Sequence, residues 1–363
     1  MSEKEGITFE DLSEDVIEAG ICAVCHGCVS FCSAGALNAL TMRGDKPVYL
    51  NKDNCLKCGI CYMICPRTKH LDDAVKTRFD FEPPIGSYLQ VRCLRTTDEE
   101  VRRVCCDGGV VTGILKFLLD TERIDGAVIS RRESFWNNQP MLATTFEDLL
   151  EGAGISLSQS ASIEDLGDYT TYIPTLTAVK GLRDMDVWRV AVVGTPCQIE
   201  TIRKMQVLRI VPSHLVRFTI GLFCFENFSF HEEGREFLRK KIGARLRDVT
   251  KINIKDDFIV RLRDDETIHI DLEDLGDIVR PGCLPCTDFS NFAADMSVGG
   301  LGSPEGYTTT ILRSQQSLAL VEKAIKRGYL EEIDQEGMIE SINDFALRKR
   351  RRGERLLKEK GMI

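Results

Sequence analysis

Eight cysteines lie between Cys22 and Cys65, in two runs of identical spacing. The first is Cys22-x2-Cys25-x2-Cys28-x3-Cys32, and the second is Cys55-x2-Cys58-x2-Cys61-x3-Cys65, followed by Pro66. Two intervening residues let a chain wrap a cubane so that successive thiolates reach three of its irons, and the fourth cysteine of each run crosses to the other cluster. The spacing therefore predicts one [4Fe–4S] cluster on Cys22, Cys25, Cys28 and Cys65. It predicts a second on Cys55, Cys58, Cys61 and Cys32. Zinc also binds Cys-x2-Cys knuckles, but it uses them in pairs and would leave the third and fourth cysteine of each run idle. Ser33 stands after Cys32 where proline is usual, a change that leaves the ligand set intact. His26, inside the first run, is expected near the surface rather than as a ligand.

Four further cysteines are dispersed. Cys197 sits in Gly194-Thr195-Pro196-Cys197-Gln198, Cys224 ends the apolar run RFTIGLFCF, and Cys283 and Cys286 form a Cys-x2-Cys in RPGCLPCTDFSN. Brought together they would make a third cluster site; taken singly, each reads equally well as a small buried hydrophobe. Three glycine turns accompany them: Asp107-Gly108-Gly109-Val110-Val111-Thr112-Gly113, the Gly194-Thr195 turn, and Gly299-Gly300-Leu301-Gly302-Ser303-Pro304-Glu305-Gly306. Glycines opening a helix let backbone amides approach a phosphate, and the helix dipole favours the anion. None of the turns fits the G-x-G-x-x-G fingerprint of a nicotinamide-type Rossmann site.

The elements that must carry these residues alternate in character. GILKFLLDTE reads as a helix followed by a short strand over Arg123–Ser130; VWRVAVVGTPCQIETIRKM reads as strand, tight turn and helix; RFTIGLFCF reads as another buried strand. That alternation argues for an α/β (α+β) module. At 363 residues the chain has room for about two to three domains. The division expected is a small bacterial-type two-cluster ferredoxin domain over 1–70, a linker over 71–88 with Pro83-Pro84 and Gly86, a cofactor-binding domain over 89–315, and a helical extension over 316–363.

The motifs GTPCQ, GLFCFEN, CLPCTDFSNFAADMSVGGLGSPEGYTT and DGGVVTGIL resemble the coenzyme F420 hydrogenase/dehydrogenase beta-subunit family, over roughly residues 88–312. That family binds FAD, carries a [4Fe–4S] cluster and exchanges hydride with the deazaflavin coenzyme F420. By the resemblance, Cys197, Cys224, Cys283 and Cys286 are ligands of a third [4Fe–4S] cluster. Gly108, Gly109, Thr112, Gly194, Thr195, Gly300 and Gly302 are flavin-site candidates. With two clusters in front, the chain is most similar to family members that feed electrons into F420H2 dehydrogenase complexes of methanogenic archaea and their relatives. A heterodisulfide reductase, a hydrogenase or a formate dehydrogenase would fit equally as partner. A stand-alone F420-dependent reductase would use the same parts, whereas no further cysteine set is present for the sirohaem-coupled cluster of a sulfite-reductase fusion. A pure electron-wire subunit and a nicotinamide-dependent flavoprotein are the remaining readings, the second disfavoured by the missing fingerprint. No acid–base residue is required, and Cys93, Cys105 and Cys106 match no ligand position.

Composition is consistent with this. The chain is 43% hydrophobic and 28% charged, ordinary for a globular protein. A formal net charge of −9 argues against nucleic acid as a partner, which would need a basic field. Fifteen cysteines, an odd number with eight crowded together, read as metal binding rather than a disulfide framework. Residues 1–15 are polar and acidic, unlike a signal peptide, and no apolar run reaches membrane-span length, so a cytoplasmic location is expected, with docking to a membrane complex still compatible. Arg348-Lys349-Arg350-Arg351-Arg352, in the expected helix SINDFALRKRRRGERLLKEKG, is read first as a solvated face and second as a docking element for an acidic partner or membrane.

Overall fold

In this computed structural model the described residues are 6–34, 37–134, 137–154, 187–210, 213–229, 232–255 and 257–362. The side chain of Ser33 lies outside the described residues. Thirteen strands are described: β1 Leu40–Arg43, β2 Lys46–Tyr49, β3 Gln90–Thr96, β4 Gly126–Ser134, β5 Asn137–Ala143, β6 Val190–Gly194, β7 Val216–Leu222, β8 Val249–Ile254, β9 Phe258–Leu262, β10 Thr267–Ile270, β11 Met296–Gly299, β12 Thr308–Leu312 and β13 Leu330–Ile333.

Eight of them form one mixed sheet in the order β13-β3-β12-β11-β7-β6-β4-β5. The four central strands β11, β7, β6 and β4 are parallel, and antiparallel strands flank them on both sides. Central parallel strands are covered on both faces, which is why β6 (VAVVG) and β7 (VRFTIGL) are apolar almost without alternation. On one face the helices Val110–Asp120 and Gln315–Lys326 pack Ile114, Leu115, Phe117, Leu320 and Val321 against Ala191, Phe218, Ile220 and Val298. On the other face the helix Pro196–Val207 packs Ile199 and Ile202 beneath Val190, Val192 and Val216.

Ile64 and Val75 belong to that second cluster. The N-terminal unit therefore shares a core with the large domain as well as having its own, built on Phe9, Leu12, Val16, Ile21, Val29 and Leu40. The segment 71–88 contains the helix Asp72–Arg78, whose Val75 is buried. A three-stranded sheet, β10-β9-β8, forms a third body with the helix Glu232–Ile242. No helix among the described residues is long and apolar enough to cross a membrane.

The parallel register aligns the strand ends. Gly194 pairs with Gly221 and Val298 with Leu222, so β6, β7 and β11 finish together at one edge. The antiparallel β12 begins at that edge, Thr309 opposite Gly299. In open α/β sheets, ligands bind outside the carboxyl ends of parallel strands.

Candidate functional site

The two cysteine runs fold alike. Val24 and His26 in the first run, and Lys57 and Gly59 at the equivalent places in the second, have φ of 53°, 64°, 51° and 69°. Left-handed backbone costs a non-glycine residue roughly 1–2 kcal/mol, and here it curls each loop around a cavity. One cavity is lined by Cys22, Cys25, Cys28 and Cys65, and the other by Cys32, Cys55, Cys58 and Cys61. The fourth cysteine of each run thus faces the partner run's loop. Cys25, Cys32 and Cys61 are buried, whereas Cys58 is exposed, so the second cavity reaches the surface. Burial, with Cys58 and Cys55 nearby, pushes the Cys32 thiol up to about 12. Burial likewise carries Cys65 up to about 11. Buried thiols such as Cys32 and Cys65 give up their protons only where positive charge replaces them, which is the condition a metal cluster meets.

The dispersed cysteines converge as a third set. Cys197 lies in the first turn of the helix Pro196–Val207, Cys224 follows β7, and Cys283 and Cys286 flank a tight turn after Pro281. Burial raises the Cys224 thiol, and the Cys283, Cys197 and Cys286 sulfurs add like charge to the same effect. Asn227 ties the set together, its amide donating to Cys283 Sγ at 3.3 Å and its side chain to Cys224 Sγ at 3.7 Å. Burial opposes ionisation of Cys286, but Lys349 and Arg67 outweigh it and hold this thiol below its ordinary value. Among the described residues no three His, Cys, Asp or Glu side chains close on a single metal ion. A cubane asks for something wider, one thiolate on each of four irons.

One helix connects the third set to the first. Cys197, Thr201 and Lys204 are spaced i, i+4 and i+7 and so share a face. Thr201 Oγ1 lies 3.6 Å from Cys25 Sγ and donates to the Cys197 carbonyl at 2.8 Å. Lys204, wholly buried, donates to the carbonyls of Cys65 and Thr68 at 2.9 and 3.1 Å and to Asp72 at 2.6 Å. Arg67 joins the same two sets as well: its amide donates to Cys65 Sγ at 3.5 Å and its guanidinium to the Gly282 carbonyl at 2.9 Å. Gly282 is required there, because a Cβ would fall 1.9 Å from the Cys22 carbonyl oxygen.

The glycine turns meet at the strand-end edge. Gly109 precedes the helix Val110–Asp120, and the Gly108 amide donates to Thr308 Oγ1 at 2.9 Å. Gly300 presses on the Asp107 carboxylate, with 2.6 Å left for a Cβ, so the first and third turns are in contact. Asn253 donates to Asp107 at 3.0 Å; burial raises that carboxyl while Asn253 and Lys255 oppose the rise. Gly194 ends β6, Thr195 caps the following helix, and Asn291 donates to the Gly194 carbonyl at 2.9 Å. The Asn291 Oδ1 is buried without a hydrogen-bond partner, an acceptor left open at this edge. Thr112 is buried in the helix, and Gly302 packs on the backbone of Met338. Cys93 is buried in β3, and the Cys105 and Cys106 thiols donate to the carbonyls of Asp107 and Ile252.

Sequence reasoning misses Arg67, Thr201, Lys204 and Lys349. The basic stretch is not a uniformly solvated face: Lys349 is 1% exposed, donating to the carbonyls of Cys224 and Asp288 at 2.5 and 2.7 Å. Its signal is present in Ile342, Ala346, Lys349 and Gly353, a 4-3-4 spacing that makes one buried helical stripe.

The family model for the C terminus of the coenzyme F420 hydrogenase/dehydrogenase beta subunit matches residues 187–337, and its N-terminal counterpart matches residues 93–164. The chain is 30% identical over 253 residues to the coenzyme F420 hydrogenase subunit beta of Methanothermobacter thermautotrophicus, covering 68% of this chain and 85% of that one. It is 31% identical over 344 residues to the coenzyme F420-dependent sulfite reductase of Methanocaldococcus jannaschii, covering 90% of this chain and 50% of that protein. The chain thus spans half the length of that relative. Identity to one subunit of the F(420)H(2) dehydrogenase of Methanosarcina mazei is 27% over 311 residues, covering 83% of this chain and 81% of that one. A chain of the F420-reducing [NiFe] hydrogenase complex from Methanosarcina barkeri superposes with a TM-score of 0.69 at 26% identity, covering 77% of this chain and 94% of its own. The mixed sheet and its order therefore define a known α/β class. The chain belongs to the coenzyme F420 hydrogenase/dehydrogenase beta-subunit family.

Proposed function

We propose that the chain is an oxidoreductase that exchanges hydride between coenzyme F420 and FAD and passes single electrons through three [4Fe–4S] clusters to a partner. The observation that carries this reading is the arrangement of twelve thiols in three sets of four, two lining separate cavities and the third joined to the first through Thr201 and Arg67. When bound, FAD converts a two-electron carrier into one-electron steps, and the clusters accept one electron each.

The chain's own residues hold and insulate these groups. Cys197, Cys224, Cys283 and Cys286 would hold one cluster, Cys22, Cys25, Cys28 and Cys65 the next, and Cys32, Cys55, Cys58 and Cys61 the last. The exposed Cys58 makes that last set the exit toward a partner. The Asp107–Thr112 turn, Gly194-Thr195 and Gly300 would receive the flavin at the strand-end edge, where Asn291 offers its open acceptor. The partner is a redox subunit or a further domain, since the relatives include hydrogenase and dehydrogenase subunits and a sulfite reductase about twice as long.

Anaerobic stopped-flow tests the reading. Oxidised protein is mixed separately with F420H2, NADH and NADPH while flavin bleaching is followed. Fast bleaching by F420H2 alone is expected; bleaching by NADH or NADPH with F420H2 inert would sink the proposal.

A further inference from the structure

The last helix, Met338–Glu359, begins one residue beyond the part of the chain that the family models match. At 1.5 Å per residue it is about 33 Å long, and it runs as a strap across the redox sites. Its start packs on Gly302, Phe345 meets Phe225 and Phe289, and Lys360, just past its end, donates to the Ala19 carbonyl of the N-terminal unit. Midway, Gly353 lies against the carbonyls of Pro285 and Cys286, and Arg352 pairs with Glu226 at 2.6 Å.

Lys349 differs from Arg352. Its ammonium is buried and directed at two main-chain carbonyls, one of them that of Cys224. Arg67 also meets the set, its side chain bonded to Cys286 and to the Gly282 carbonyl and its Nε buried with no partner. Among the described residues neither cation is in ion-pair contact with a carboxylate. The buried acid beside Lys349, Asp288, has its oxygens bonded to the amides of Asn291 and Phe292. Two buried positive charges without a contact ion pair among the described residues thus lie beside one set of four thiols, in a region of low dielectric where charge acts strongly. Asp288 near Lys349 and Glu200 near Arg67 offset part of their field.

We propose that Lys349 and Arg67 are positioning charges that raise the reduction potential of a cluster on Cys197, Cys224, Cys283 and Cys286, so that the C-terminal helix is part of this redox centre. The inference rests on the three-cluster reading above. A cluster gains negative charge when reduced, so a fixed cation beside it favours the reduced form, one of the ways a protein tunes such a potential. The third site then holds its electron more firmly than it would on thiolates alone. It becomes the place where electrons leaving a flavin are collected.

The experiment is a redox titration of the full chain, purified anaerobically and followed by EPR, with iron content measured on every sample. The signal of the third cluster is assigned as the one absent from Cys197→Ser. In Lys349→Met that signal is expected to titrate at a more negative potential while the other two stay in place. At the wild-type midpoint its reduced-to-oxidised ratio falls about tenfold, equivalent to about 59 mV for one electron. Lys349→Arg, which keeps the charge, is expected to restore the midpoint, something a packing role alone would not require. Full iron with an unmoved midpoint in Lys349→Met overturns the inference. Should Lys349→Met lose its third cluster, Arg67→Gln decides, and an unmoved midpoint there overturns the inference as well. Wild-type protein with two clusters and no third signal would instead sink the three-cluster reading, and this inference with it.

Discussion

The Thr201 hydroxyl stands 3.6 Å from the Cys25 sulfur and gives its proton to the Cys197 carbonyl, so one side chain touches members of two cysteine sets. The contact is short because Thr201 follows Cys197 by one helical turn and Gly27, beside Cys25, has no side chain to hold the helix away. Thr201→Val keeps the shape and removes the hydroxyl. It should lower stability by about 1 kcal/mol, the net worth of one hydrogen bond. Thr201→Leu adds bulk against Gly27 and should cost about 1–3 kcal/mol by overpacking. Thermal melts of the two variants check the order; equal effects would mean that the N-terminal unit yields freely at this contact.

Cofactor content follows from the three thiol sets. About twelve irons per chain are expected from four-iron cubanes on four cysteines each, together with one FAD. Cys197→Ser should remove about four irons and spare the other two sets, which do not include it. Zinc in place of iron, or about eight irons with Cys197→Ser having no effect, would remove the third cluster.

Glu200 gives a pH signature. Burial raises its carboxyl from 4.5 to about 7, against the pull of Lys204 at 3.3 Å and with help from Asp72. A carboxyl raised in the folded state binds more protons there than in the unfolded chain. Stability from this group is therefore fully present below pH 4.5 and is lost as the pH rises through about 7. The loss is on the order of 3 kcal/mol. The melting temperature of the loaded protein should fall from pH 5 to pH 8, and Glu200→Gln should flatten that fall. Parallel curves for the two proteins would show that Glu200 is ionised throughout.

Several of these features are legible in the amino-acid sequence. The sorting of eight thiols into two sets follows from local spacing, and a 33-residue offset repeats the same left-handed turns in both runs. Strand–turn–helix at VAVVGTPCQ is legible because an apolar run, Gly, Thr and Pro succeed one another from Val190 to Pro196. The sheet order is not, because β11 lies beside β7 and β3 between β12 and β13 through contacts between residues far apart in the sequence, such as Met296 with Ile220 and Thr308 with Leu94. Arg67 is invisible for the same reason: its place depends on Gly282, and nothing near Cys65 in sequence announces that approach. Lys349 is readable but easily misread, since its charge argues for solvent and its periodicity for burial. Its neighbours on the stripe are Ile342, Ala346 and Gly353, and a lysine in such company is buried with partners rather than solvated.

Cys58 allows the direction of the relay to be tested. It is the exposed member of the second set, and its own side chain belongs to none of the cores of the large domain. Cys58→Ser should therefore disable the cluster nearest the surface and leave the fold intact. Its net stability effect should be small, because surface substitutions away from buried networks stay within about 0.5 kcal/mol, apart from any contribution of the metal. Bleaching of the flavin by F420H2 should survive in this variant, since Gly108, Gly194 and Gly300 are untouched. Onward transfer to an external one-electron acceptor should fall sharply. The two rates are measured on one anaerobic sample, flavin bleaching by stopped-flow and acceptor reduction in steady state. Loss of flavin bleaching by F420H2 in this variant would place the second cluster ahead of the flavin and overturn the assumed order.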